Sequence, residues 1–170
     1  MTEKTIQALQ KQIGLEAYAS QLYLAMASWC DSEGLAGAAA FFYRQSDEER
    51  QHMLRIVHFL NDSDQHAEIP GVDPPPNHFE SLHAVFQQVL QHEQKVTKAI
   101  HQIVQLCMQE NDFTTWQFLQ WFVDEQHEEE ALVRSILDKF KLIGDSPQGL
   151  YLIDREIDTI NQKLLNAPQQ

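Results

Sequence analysis

The chain has 170 residues and a formal net charge of −13 at pH 7. Because nucleic acids and anionic membranes both attract basic surfaces, this balance argues against either as a partner. Its length suits one domain with a sizeable core.

The first residues, MTEKTIQALQKQIG, lack the basic and apolar regions of a signal peptide, and no apolar run in the sequence reaches membrane length. The two cysteines, Cys30 and Cys107, lie in helical patterns without metal-binding spacing. Buried free thiols are typical of proteins in reducing compartments. We therefore expect a cytoplasmic protein.

Four long amphipathic segments and a shorter fifth predict an all-α fold. In chain order, the predicted helices run from about Thr5 to Asp31, from the turn at Gly34 to about Asp62, from about Asn77 to Gln109, from a cap at Asn111 or Asp112 to just before Gly144, and from Ser146-Pro147 to about Leu165. The pair Asn77 and Glu80 has the spacing of a capping box, which places the start of the third helix there.

The connection between the second and third helices is unusually long. Residues 63–76 have no helical period and contain four prolines, whereas bundle helices are usually joined by about two to eight residues. An extended segment of this length reaches about 45 Å, which matches the length of a long helix. The second and third helices can therefore run parallel. We predict a single domain over residues 1–170, with a four-helix bundle at 1–144 and a short helix and tail at 145–170.

Each of the four long helices carries a glutamate near the middle of its apolar stripe: Glu16, Glu49, Glu93 and Glu129. Each lies about 13 to 15 residues from the same end of the predicted bundle, so at 1.5 Å per residue all four reach one level. The stripe of the fourth helix is predicted as Phe118, Phe122, Glu125, Glu129, Leu132, Ile136 and Phe140. These acids are predicted to face the core.

Unpaired carboxylates in a dry core cost several kcal/mol each, and the stripes carry no Lys or Arg to pair them. A multivalent cation would compensate. Glu49 and His52 form a Glu-x-x-His pair on one helix face, and carboxylates with one imidazole suit iron or manganese better than zinc. Asp124, Glu128 and Glu130 fall off the stripe and are open to interpretation as a solvated face.

The segments GLEAYASQLYLAMASWC, GAAAFFYRQSDEERQHM, LQHEQKVT, FLQWFVDEQHEEE and GLYLIDREI resemble those of bacterial non-haem ferritins, in the same order and over nearly the whole chain. The resemblance implies a four-helix bundle with a short fifth helix, assembled as twenty-four copies into a hollow shell. It also implies oxidation of Fe(II) by O2 or peroxide at a di-iron site and storage of ferric mineral inside the shell.

Matched position by position, the resemblance assigns Glu16, Glu49 and His52 to a first iron site. Glu49 would bridge to a second site formed by Glu93 and Glu129, which Gln126 would line. A third, inward-facing iron site is implied at Glu48, Glu125, Glu128 and Glu129. Tyr23 matches a tyrosine that the family places near the first site, and it is counted with the catalytic residues.

Related proteins with other functions are distinguished by single positions. Bacterioferritins bind haem through a methionine directly after the bridging glutamate, where this chain has Arg50, so we expect no haem. Leu132 stands where a second Glu-x-x-His would place a histidine, which weakens the case for a rubrerythrin-like oxidoreductase that keeps its irons. A metal-free helical interaction module is the remaining alternative. The fifth helix carries an apolar stripe that suits either a shell axis or its own bundle.

Overall fold

The computed structural model describes residues 1–144 and 146–166, which form five α-helices and no strand. Their bounds are α1 Glu3–Ser32, α2 Ala36–Asp62, α3 Leu82–Glu110, α4 Phe113–Ile143 and α5 Pro147–Leu165. Residue 145 and the predicted tail at 167–170 lie outside the described residues. Within the described part of the chain, no helix is apolar over a length that could span a membrane.

Side-chain caps fix most of the helix starts. Thr2, Ser81, Asp112 and Ser146 each accept a hydrogen bond from the backbone N–H three residues on, which satisfies a donor that has no partner inside the helix. The predicted start of the third helix at Asn77 is wrong. Asn77 instead donates its side-chain amide to the carbonyl of Pro75 at 3.2 Å, and the irregular connection extends to Ser81.

The direction of the helices follows from contacts at their ends. Short turns make α1 and α2 antiparallel, and likewise α3 and α4. Thr5, at the start of α1, donates to Glu110, at the end of α3, at 2.8 Å, so α1 and α3 are also antiparallel. Consequently α2 and α3 run parallel, which confirms the four-helix bundle with one long crossover.

The core consists of two hydrophobic clusters, and on every long helix a glutamate falls between them. One cluster contains Tyr23, Phe42, Phe86 and Phe140, and the other is built around residues such as Ile56. The sequence order on each helix therefore places Glu16, Glu49, Glu93 and Glu129 in a polar layer that divides the apolar core.

Helix α5 packs against α2 and α4. Ile153 and Ile157 are buried in the first hydrophobic cluster, while the Asp154 carboxylate accepts hydrogen bonds from the backbone N–H groups of Gly37 and Ala38 at 3.1 and 2.8 Å. These two donors lie in the first turn of α2, where they have no partner inside the helix. The predicted stripe of α5 thus packs on its own bundle through these two isoleucines.

Candidate metal centre

Three ligand groups meet inside the bundle where α1 faces α2. Glu16, Glu49 and His52 are buried, and each offers one ligand atom that lies within 4.8 Å of the other two. His52 Nδ1 is 3.3 Å from Glu49 Oε2 and 3.9 Å from Glu16 Oε2. The Glu-x-x-His spacing puts two of these groups on one face of α2, and antiparallel packing brings the third from α1.

Some polar atoms of these three side chains lack hydrogen-bond partners. Glu16 Oε2 and His52 Nδ1 are both buried without a hydrogen-bond partner among the described residues. The other oxygen of Glu16 accepts from Gln12 Nε2 at 2.7 Å. Buried polar atoms normally have partners, so the free oxygen and nitrogen indicate a ligand-binding position, and their chemistry fits a cation.

Burial raises the pKa of Glu16 and that of Glu49 well above the ordinary value for a glutamate. For Glu16 the second cause is the charge of Glu49, and for Glu49 it is the charge of Glu93. Desolvation penalises the ionised form, and a like charge nearby adds to that penalty. A bound cation would reverse both effects.

A second pair of carboxylates comes from α3 and α4. Glu93 accepts hydrogen bonds from the Tyr23 hydroxyl and, at 2.9 Å, from Gln126 Nε2. Glu129 accepts from Gln45 Nε2 at 3.0 Å. Each carboxylate is therefore held by neutral donors.

The carboxylates of α1 and α2 interact electrostatically with those of α3 and α4 across the polar layer. Burial raises the pKa of Glu129 to about 8, and the charge of Glu93 is the next cause. Burial also raises the pKa of Glu93, and the charges of Glu93 and Glu129 both raise that of Glu49. Glu49 thus interacts with the acids of both groups, although the 4.8 Å cluster itself comprises only Glu16, Glu49 and His52.

A groove of about 800 Å³ between α2 and α4 leads from the surface to His52. Glu48 and Glu125 line it. Burial raises the pKa of Glu125; His52 opposes this shift and the charge of Glu128 adds to it. Glu128 is exposed. The three carboxylates assigned by resemblance to a third site therefore lie at or near the opening of the buried layer.

The inward face of α4 differs from the prediction. Glu125 is half-buried rather than in the core, and Gln126 occupies the buried position beside Glu129. The reason is that α4 has adjacent apolar residues at 118–119 and 132–133, so two stripes one residue apart fit the pattern equally well. Glu130 is buried too, since Thr97 donates to it at 2.6 Å and Arg134 pairs with it. The solvated-face interpretation holds only for Asp124 and Glu128, which are exposed.

Several polar residues of the centre were not anticipated. Gln12 and Gln45 hold two of the carboxylates, and Thr97 lies 3.4 Å from Gln126 Nε2. Gln45 stands on the apolar stripe of α2, so its polarity at a core position was an available signal. Tyr23 contacts Glu93 rather than a ligand of the first group.

Comparisons with known proteins identify the family of the chain. The sequence model of the ferritin-like domain matches residues 6–143. The chain is 44% identical over 160 residues to a bacterial non-heme ferritin of Campylobacter jejuni, which covers 94% of this chain and 96% of the relative. It is 42% identical over 156 residues to a bacterial non-heme ferritin of Escherichia coli, with 92% and 94% covered.

Among solved structures, an open-pore ferritin from the hyperthermophilic archaeon Archaeoglobus fulgidus has a TM-score of 0.90. It is 40% identical, and the match covers 93% of this chain and 96% of that chain. The resemblance seen in the sequence is confirmed, and this chain belongs to the ferritin family.

Proposed function

We propose that this protein takes up Fe(II), oxidises it at the buried carboxylate centre and stores the ferric product as mineral inside a hollow shell of twenty-four copies. The observation that carries the proposal is the layer of four buried glutamates and one histidine, with unpartnered ligand atoms on Glu16 and His52. The names of the relatives from Campylobacter jejuni and Escherichia coli support it. The cytoplasm is its proposed location.

Iron is the substrate, and the residues divide into two positions for it. Glu16, Glu49 and His52 would bind the first Fe(II), because their ligand atoms already converge within 4.8 Å. Glu93 and Glu129 would bind the second, with Glu49 between the two. Gln126 would line the second position and hold Glu93 through its amide.

The ligand set favours oxidation. Hard, anionic oxygen ligands stabilise Fe(III) more than Fe(II), so ionised carboxylates make loss of an electron easier. Two Fe(II) ions supply two electrons to one O2, which takes up two protons and leaves as H2O2. Peroxide is an alternative oxidant and would accept two electrons to give water. We propose that Tyr23 assists by holding Glu93 in place.

The product must leave the layer for storage to proceed. The groove beside His52, lined by Glu48 and Glu125, supplies an opening. With Glu128 and Glu129, these two carboxylates would form the third iron site. Glu129 would therefore belong to both the second and the third positions. This shared carboxylate would give oxidised iron one ligand common to the layer and the groove.

The test is to add Fe(II) aerobically to metal-free protein, well beyond two ions per chain, and to separate the product by size with iron detection. Iron in large excess that co-elutes with a particle of many chains is the expected result. Iron that stops near two per chain on a small oligomer would contradict storage and favour a di-iron oxidoreductase. A protein that binds no iron would favour the interaction module.

A variant tests the site itself. Glu49→Ala should slow iron oxidation strongly while the assembled particle keeps its size, because Glu49 contributes to both positions. Glu3→Ala changes an exposed glutamate of α1 and should leave the rate unchanged. Oxidation at the wild-type rate in the Glu49 variant would contradict the assignment.

A further inference from the structure

A chain of hydrogen bonds connects α5 to the metal centre through one arginine. Asn161 of α5 is 2% exposed, and its Oδ1 accepts from Arg44 Nε at 2.6 Å. Arg44 Nη2 donates to Gln45 Oε1, also at 2.6 Å. Gln45 Nε2 then donates to Glu129 Oε2 at 3.0 Å. Three hydrogen bonds thus lead from the fifth helix to a carboxylate of the buried layer.

The chemistry of these groups fixes the orientation of the amide. A guanidinium group offers only donors, so the Gln45 oxygen must face Arg44 and its NH2 must face Glu129. If Arg44 moved away, the amide would lose the partner that holds it, and either end could turn toward the carboxylate. The position of Arg44 therefore decides whether Glu129 meets a donor.

Glu48 is a further acceptor for Arg44 and takes Nη1, which the other two acceptors leave free. The Glu48 carboxylate pairs with it from the groove side and is 40% exposed, whereas the arginine side chain is 12% exposed. The Asn161 oxygen holds the guanidinium from the α5 side, and the Phe41 ring lies 5.3 Å from it. Without the Asn161 oxygen, a nearly buried Nε–H would lose its acceptor, which is costly. With Glu48 still paired, the guanidinium would then turn toward the groove and away from Gln45.

We propose that Asn161 is a positioning residue for the metal centre: by holding Arg44, it sets the Gln45 amide on Glu129. Docking of α5 is thereby coupled to cation binding at the Glu93–Glu129 position. This inference rests on the proposed function, because it takes those carboxylates as cation ligands. It does not involve the Glu16, Glu49 and His52 position.

The test uses Zn(II), which binds without being oxidised, on the assembled, metal-free protein. Calorimetry gives the affinities, and anomalous scattering from Zn(II)-soaked crystals gives the occupancy of each position. Asn161→Leu keeps the approximate volume and removes the oxygen. Losing a group that hydrogen-bonds a metal ligand directly typically costs about 10- to 100-fold in affinity. Asn161 acts through two intervening side chains, so we expect a loss at the lower end, about tenfold, at the Glu93–Glu129 position alone.

Two further variants separate positioning from stability. Asn161→Asp keeps an acceptor oxygen for Arg44 and should restore Zn(II) affinity at the Glu93–Glu129 position. Arg44→Lys keeps the charge but offers a single ammonium in place of the planar fork, so it should reproduce the loss even if Asn161→Leu fails to assemble. Wild-type affinity in Arg44→Lys would overturn the proposal.

Asp154→Ala is the matched control, because it weakens the contact between α5 and α2 without touching Arg44. It should leave Zn(II) affinity unchanged. An equal loss of affinity in this variant would show that general loosening of α5 is responsible, which would overturn the positioning role. If the wild-type protein bound no Zn(II) at these carboxylates, the proposed function would fail instead, so the two failures can be told apart.

Discussion

The Tyr23 hydroxyl donates a hydrogen bond to Glu93, so a phenol on α1 meets a carboxylate on α3 in the middle of the bundle. Both side chains are buried. Burial, followed by the charge of Glu93, raises the pKa of Tyr23 well above its ordinary value. The phenol therefore stays protonated at physiological pH and acts as a hydrogen-bond donor to the carboxylate.

Tyr23→Phe removes this donor while keeping the ring. We expect weaker Zn(II) binding at the Glu93–Glu129 position, by about tenfold or more, because a ligand that loses its supporting hydrogen bond is less well placed. Calorimetry on the metal-free protein measures the change. Tyr18→Phe, on the same helix with a half-buried ring against His92, is the control. Equal affinities in the two variants would show that the hydroxyl has no role in binding.

The stability of the metal-free protein should fall as pH rises. Glu129 has a pKa raised to about 8 from the ordinary 4.5, and the pKa values of Glu16, Glu49 and Glu93 are also raised. Below about pH 4.5 these groups are protonated in both states and cost nothing. Above about pH 4.5 these carboxyl groups ionise in the unfolded chain, whereas burial keeps them protonated in the folded chain. The free energy of unfolding therefore falls progressively until the pH reaches the folded-state pKa.

Thermal unfolding of metal-free protein between pH 5 and pH 8 measures this dependence. Glu129→Gln should flatten the profile, since the amide does not titrate. The wild-type and variant curves should converge toward pH 5 and separate toward pH 8, with the variant more stable at the higher pH. Parallel curves would mean that the general negative charge of −13, rather than buried Glu129, causes the loss.

Cation binding should release protons at neutral pH. With a pKa of about 8, Glu129 is mostly protonated at pH 7, and a cation must displace that proton before it can bind the carboxylate. Zn(II) titrations in two buffers with different ionisation enthalpies measure the number released. We expect fewer protons from Glu129→Gln, and apparent affinity of the wild-type protein should rise with pH between 6 and 8. A buffer-independent heat would contradict this.

How far the sequence predicts this centre depends on the kind of information each residue carries. Burial of Glu93 is predicted correctly, because every other position on its α3 stripe is apolar and the acid stands out. The core position predicted for Glu125 is wrong, because neighbouring apolar residues on α4 leave the rotation of that helix undetermined by about one residue. Asn161 and Arg44 could not be found at all, because their contact is tertiary, joining α5 to α2 across 117 positions of the chain.

The same distinction applies to the helix boundaries. Asp112 was one of two candidate caps for α4, and its side chain does accept from Thr115 N–H at 3.1 Å. Asn77 has equally good capping chemistry, but its side-chain amide donates to the carbonyl of Pro75, and no helix starts before Leu82. Ser81 is the first capping residue with a continuous helix after it. Side-chain chemistry thus identifies candidate caps, and a candidate acts as a cap only where the backbone after it is helical.

The close approach of α2 and α5 gives a last prediction. A Cβ added at Gly37 would lie 2.2 Å from the backbone oxygen of Asp154 and 3.0 Å from the Cβ of Asp158. The first clash is with backbone, which cannot rotate away. Gly37→Ala should therefore push α5 off the start of α2 and break the hydrogen bonds to Asp154, although alanine favours helix by about 1 kcal/mol over glycine.

Hydrogen exchange measures the effect directly, through faster exchange of the backbone amides at Ala38 and along α5 in Gly37→Ala. Gly34→Ala is an informative comparison, since a Cβ there meets no atom within 4 Å but the backbone has a φ of +76°. It should lower thermal stability through strain at the α1–α2 turn while leaving exchange in α5 unchanged. If α5 were as well protected from exchange in the Gly37 variant as in wild type, the steric argument would be wrong. The two helices would then have made room for the Cβ without undocking.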